Sequence, residues 1–180
     1  MRSFLDLAYK RHSCRNFCCG KTIEREKLTD IMRAAVAAPS AGNSQPWRYI
    51  AVDEPARVSQ MANCIADDEK KFCQNAAAFI VVMEDKGGFV GNIGESIRNQ
   101  RFIGIDLGAS VAHILLAITD LELGGCVIGS FNERKIKTLL GIPKTRRIKL
   151  IIAVGFDDES EIYREKKRRP FEETVTFNKF

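Results

Sequence analysis

The chain has two histidines and one tryptophan, and its six cysteines include no CxxC pair. That is a poor donor set for a structural zinc or iron–sulfur centre, so no metal is expected. Equally absent are a Walker A loop, a GxGxxG turn opening a helix after a strand, a GxSxG elbow and an HExxH pair. Cysteine, histidine and aspartate occur singly, with nothing to place them as a triad. No side-chain catalyst is legible. An enzyme built on this sequence would rely on a cofactor that the protein holds and orients.

Long apolar runs are missing too. No stretch reaches the roughly 18 uninterrupted residues of a membrane span. The longest, around Ile103 to Leu123, is broken by Asp106, His113 and Asp120. The first residues show neither an apolar h-region nor a small-residue cleavage site, so no signal peptide is expected. The expectation is a soluble cytoplasmic protein with no membrane partner, whose thiols stay reduced and unpaired.

What is present suits one domain: 180 residues, 45% hydrophobic and 28% charged, are enough to bury a real core. Much of the +5 net charge sits in Tyr163-Arg164-Glu165-Lys166-Lys167-Arg168-Arg169. Such a cluster suits nucleic acid, anionic lipid or a phosphate-bearing ligand. Glu161, Glu165, Glu172 and Glu173 dilute its field, and no RNP-type aromatic pattern accompanies it, so nucleic acid is not expected.

Helical spacing predicts a short helix ending near Lys10, a second over Thr22 to Ala37 with Thr22 as N-cap, and a third over Ala56 to Ala66. Ile105 to Leu123 is the strongest helical pattern, apolar over so much of its circumference that it belongs in a core or an oligomer interface. His113 on it reads as a satisfied interior or interface histidine. Asn132 is placed to cap a helix over Glu133 to Leu140. Strands are expected at Trp47 to Val52, Ala76 to Met83, Cys126 to Phe131 and Ile148 to Phe156. Glu84 to Gly104, rich in glycine, reads as an excursion that serves as a lid or specificity segment, with Phe89 and Phe102 as packing anchors.

Between the second helix and the first strand lies Ala38-Pro39-Ser40-Ala41-Gly42-Asn43-Ser44-Gln45-Pro46-Trp47. Two readings stay open. Small residues let a flat ligand approach the backbone while Ser40, Asn43, Ser44 and Gln45 offer donors and acceptors; or the segment is a helix stop, a turn and a strand start. Arg11 and Arg15, four apart, likewise either converge on one anion or mark a solvated turn.

Taken in order, Arg11-His12-Ser13-x-Arg15-x-Phe17, the Ala38 to Trp47 loop, Ile128-Gly129-Ser130-Phe131 and Lys166-x-Arg168-x-Pro170 resemble the FMN-dependent nitroreductase family. The resemblance implies an α+β fold, a three-layer α/β/α sandwich around a central mixed sheet. Residues 1–180 would form one domain, with 157–180 a tail completing the FMN site or the dimer. It also implies a homodimer with FMN at the subunit interface, in which some contacts come from the partner chain. Arg11, Ser13 and Arg15, with His12 between them, would meet the FMN phosphate and ring edge. Lys166 and Arg168 would meet the phosphate from the tail. Pro39, Ser40, Asn43 and Gln45 would line the ring and ribityl chain, and the backbone of Ile128 and Gly129 would lie near flavin N5. NADH or NADPH would reduce the flavin and leave, and a nitroaromatic, quinone or similar small-molecule acceptor would take its place. The alternatives are a non-catalytic flavin carrier or a dehalogenase-like relative.

Overall fold

The structure is a computed structural model that describes residues 3–85 and 102–180. In chain order it runs α1 (Phe4–Lys10), α2 (Arg25–Val36), β1 (Trp47–Val52), α3 (Pro55–Ala62) and α4 (Asp67–Lys70). Then follow β2 (Ala78–Glu84), α5 (Phe102–Asp120), β3 (Gly124–Ile128), α6 (Glu133–Leu140), β4 (Arg147–Gly155) and α7 (Phe171–Thr174). Most of the excursion expected at Glu84 to Gly104, Phe89 included, lies outside the described residues.

Local chemistry explains the ends. Ser3 and Asp6 form a reciprocal capping box on α1. The Asn132 side chain accepts from the Lys135 N–H at 3.0 Å, and Gly141 closes α6 in the left-handed conformation. Thr22 does not cap α2. That helix starts at Arg25, with Glu24 in the cap position and no side-chain cap bond.

The sheet has the order β1-β2-β4-β3. The mixed sheet that the resemblance implied is antiparallel in every described pairing. The reason lies in the connections: those joining β1 to β2 and β3 to β4 each leave and re-enter the sheet at the same end.

The central strands β2 and β4 are apolar on both faces, as burial on both sides requires. Phe79, Val81, Ile151 and Ala153 face one core with Val58 and Met61 of α3 and Ile136 of α6. Ile80, Val82, Ile152 and Val154 face the other, against Leu28, Ile31 and Ala35 of α2 and Leu107, Ile114 and Ile118 of α5. Helices therefore cover both faces, and the three layers are those of an α+β sandwich. Helix α5 is the one described helix with the length and hydropathy of a membrane span, yet it lies on this sheet beside α2.

Candidate flavin site

The segment Arg11 to Phe17 is laid along the β3 edge of the sheet. The Cys14 N–H donates to the Gly125 carbonyl at 3.1 Å, Phe17 pairs with Asp157, and the Cys18 N–H donates to the Phe156 carbonyl at 2.9 Å. These bonds leave Arg11, His12, Ser13 and Arg15 lining a cavity of about 200 Å³ whose other wall is the tail, Ile162 and Arg164 to Arg168. The Lys166 ammonium donates to the Tyr9 carbonyl. The Arg15 guanidinium donates to the Ser13 carbonyl at 3.2 Å and lies 5.7 Å from the centre of the Phe72 ring.

Among the described residues no carboxylate pairs with Arg11, Lys166 or Arg168. Burial, and then the charge of Arg168, pull the Arg11 pKa below its ordinary value. Desolvation, Arg11 and Arg168 do the same to Lys166. Three cations that repel one another, none of them paired with a carboxylate among the described residues, outweigh the one acid on the same wall, Glu165, and make a pocket for a polyvalent anion.

Asp157 holds this corner together. Its Oδ2 accepts from the Tyr163 hydroxyl at 2.6 Å and lies 3.2 Å from His12 Nε2, while the His12 and Tyr163 rings pack at a tilt of 47° with centroids 4.4 Å apart. Burial opposes its charge, but His12, Tyr163 and Cys14 outweigh that and bring its pKa down to about 2. Tyr163, donating to this carboxylate, is pushed up to about 12. Glu161 adds a second tie by accepting from the Arg15 N–H at 3.0 Å. Gly124 is required beneath: a Cβ there would collide with Asp157 Oδ1 and Cys14 Cβ. Cys14, for which the sequence offers no role, is a fully buried packing residue whose thiol is raised by burial. His12, Cys14 and Glu161 bring potential ligand atoms within 4.8 Å of one another. Glu161 is already engaged, and the adjoining arginines oppose a further cation.

The Ala38 to Trp47 loop lies elsewhere. It precedes β1, the opposite edge strand, so three strand spacings, about 14 Å, separate the two sheet edges. Ser40 Oγ accepts from the Gln45 N–H at 3.0 Å, and the Gln45 side-chain amide donates to Asn43 Oδ1 at 3.1 Å. Gly42, Asn43 and Gln45 all have positive φ. Two non-glycine residues in that region within three positions mark a backbone held in place by its surroundings. Pro39 is exposed beside them. Ile128 is buried at the end of β3, and Gly129 is exposed just beyond it, on the same edge as the arginine segment.

One chain thus brings Arg11, His12, Ser13, Arg15, Lys166 and Arg168 together, with Ile128 and Gly129 on their side of the sheet. It does not bring Pro39, Ser40, Asn43 or Gln45 to them. Sequence reasoning missed Asp157 and Asp106. Asp157 carries a faint signal, an acidic residue directly after the last strand. Asp106, a buried acid in an apolar helix, was visible but had no legible partner.

A family model described as the nitroreductase family matches residues 8–156. An Archaeoglobus fulgidus protein, provisionally named an NADH dehydrogenase/NAD(P)H nitroreductase, is 30% identical over 168 residues, 91% of each chain. The iodotyrosine deiodinase of Thermotoga neapolitana is 25% identical over 88% of this chain and 91% of its own. Among solved structures, a nitroreductase family protein of Streptococcus pneumoniae superposes with a TM-score of 0.81 at 25% identity, over 97% of this chain and 99% of that one. An FMN-dependent nitroreductase of Clostridium difficile gives 0.72 at 25% identity, over 98% and 100%. A match that runs through the arginine segment, the loop and all four strands leaves one assignment: the chain belongs to the nitroreductase family.

Proposed function

We propose that the protein is an FMN-dependent oxidoreductase that takes hydride from NADH or NADPH and passes it to a nitroaromatic, quinone or similar conjugated acceptor. One observation carries this reading. Arg11, Lys166 and Arg168 converge without a carboxylate partner among the described residues, and a flavin mononucleotide ends in a phosphate dianion. Its chemistry, accepting and donating hydride, is one that no side chain in this chain can supply.

The residues have separable tasks. Arg11, Lys166 and Arg168 neutralise the phosphate, and the partly desolvated setting of Arg11 strengthens its bond there. Ser13 and Arg15 lie next along the segment and would serve the same end of the cofactor, with His12 holding the segment to Asp157. The Gly129 backbone at the end of β3 is open and offers a donor. The loop residues Pro39, Ser40, Asn43 and Gln45 suit a flat ring, but from their sheet edge they would reach it in a second chain. The proposed state is therefore a cytoplasmic homodimer. Exposed Phe4, Leu5, Tyr9, Ile105 and Phe177 supply apolar surface for such an association.

The deiodinase likeness favours a second reading, reductive dehalogenation at the same site. An absorbance spectrum taken with added FMN, before and after anaerobic NADH or NADPH, tests the first. Bound flavin that bleaches with either nucleotide, and recovers with a nitroaromatic or quinone, supports it. Recovery only with a halogenated phenol favours the second. Failure to bind FMN overturns both.

A further inference from the structure

The loop from Ala38 to Trp47 is held from within and from outside. Its two non-glycine residues with positive φ, Asn43 at 53° and Gln45 at 46°, are tied to one another and to Ser40. A further restraint comes from α5. Asp106 is 5% exposed in the first turns of this apolar helix, where an acid is costly to bury. Its Oδ1 accepts from the Ala41 N–H at 3.1 Å, and its Oδ2 lies 3.4 Å from Ser44 Oγ. The first residue of the 3₁₀ turn Ala41–Asn43 and the residue that follows the turn, Ser44, are thus drawn to one carboxyl group.

One helical turn further on, Ser110 repeats the arrangement on the loop's flanks. Its hydroxyl donates to the Ala35 carbonyl near the end of α2 at 2.9 Å, and it shares a short hydrogen bond with the Tyr49 hydroxyl near the start of β1. Ser110 is fully buried. Positions four apart lie on one face of a helix. A single stripe of α5 therefore fixes where the loop begins, where it ends and how its middle is shaped. Ser110 alone would fix the flanks; Asp106 reaches the middle.

We infer that Asp106 is a positioning residue for the flavin site: through the Ala41 N–H and the Ser44 hydroxyl it sets the shape in which the Pro39 to Gln45 loop is presented to the ring. The inference rests on the reading of that loop as part of the flavin site, and its test separates the two.

The test uses the full chain with Asp106→Ala, Asp106→Asn, Asp106→Leu and Ser44→Ala. In flavin-free protein, the hydrogen exchange of the Ala41 amide is followed by NMR. Removing a charge-assisted acceptor should speed that exchange by roughly tenfold or more in Asp106→Ala. Asp106→Asn keeps one oxygen acceptor and should recover part of the protection, whereas Asp106→Leu, which fills the space without an acceptor, should not, as it would if the role were bulk packing. FMN titration should then show affinity weakened by roughly tenfold in Asp106→Ala and less in Asp106→Asn. Should Asp106→Ala fail to fold, the same measurements on Asp106→Asn and Ser44→Ala decide the matter, since each keeps the helix and trims one contact. Unchanged Ala41 exchange in folded Asp106→Ala, or in both Asp106→Asn and Ser44→Ala should that variant not fold, overturns the inference and leaves the flavin reading standing. Faster exchange with unaltered FMN affinity overturns the link between loop shape and flavin. Wild-type protein that binds no FMN overturns the underlying reading before any variant is made.

Discussion

Arg11 is half-buried in a wall of like charge, a placement that favours the approach of an anion. Lys166 is held against the Tyr9 carbonyl and Arg168 is exposed, so Arg11 should carry the largest share of phosphate binding. Arg11→Ala should weaken FMN binding by roughly tenfold to a hundredfold, the range for a lost charge-assisted hydrogen bond. Arg15→Ala should also weaken it, with a smaller effect, because its guanidinium is already shared between the Ser13 carbonyl and Phe72. Equilibrium titration followed by flavin fluorescence measures both. Unaltered affinity in the two variants would remove the anion pocket from the account. The arginines were legible as a motif, but it was not legible that no carboxylate among the described residues pairs with Arg11 or Arg168. Only the fold shows that Glu161 is spent on the Arg15 backbone and Asp157 on His12 and Tyr163.

Among elements, the tail is tied down at several points, and Asp157 is the tie whose carboxylate carries a strongly lowered pKa. The pKa of Asp157 is lowered to about 2 in the folded chain, below the ordinary carboxylate value. Its contribution is therefore fully present above about pH 4 and is lost as pH falls through 2, with a size on the order of 2 kcal/mol. Tyr163 ring resonances should hold their folded positions down to about pH 4 and shift towards free-tail values by pH 2. In Asp157→Asn they should lie nearer the free-tail values throughout and show no step in that window. A wild-type tail that stays docked at pH 2 would count against Asp157 as its anchor. Other elements were readable because their determinants are local. The alternation of β1 and the Asn132 cap of α6 sit within the segments they define, and both spans matched. The start of α2 was misread because Thr22 has the chemistry of a cap but the helix begins three residues later. The direction of the strands was misread because it depends on how each connection returns to the sheet. Asp106 was unreadable for a related reason: its partners, Ala41 and Ser44, are more than sixty residues away in sequence.

At the scale of the whole molecule, the sheet order sets the terms. The cation corner belongs to the β3 edge and the small-residue loop to the β1 edge, so in the proposed site one chain would offer each flavin only half of its contacts. If the halves meet across a dimer, each of two sites takes its corner from one subunit and its loop from the other. Mixing two damaged chains then has a countable result. Consider Arg11→Ala, damaged at the corner, and a Ser40→Ala/Gln45→Ala double variant, damaged at the loop. In a mixed dimer, one site combines the intact corner of the loop variant with the intact loop of the corner variant. The other site combines both defects. Mixed dimers, separated by two affinity tags, should bind about one FMN per dimer with near wild-type affinity. Each homodimeric variant should bind weakly at both sites. A site contained within one chain gives a different count, since every site in the mixed dimer would then carry one defect and no tight binding would return. Recovery of one tight site in two can arise only if the corner and the loop of that site come from different chains.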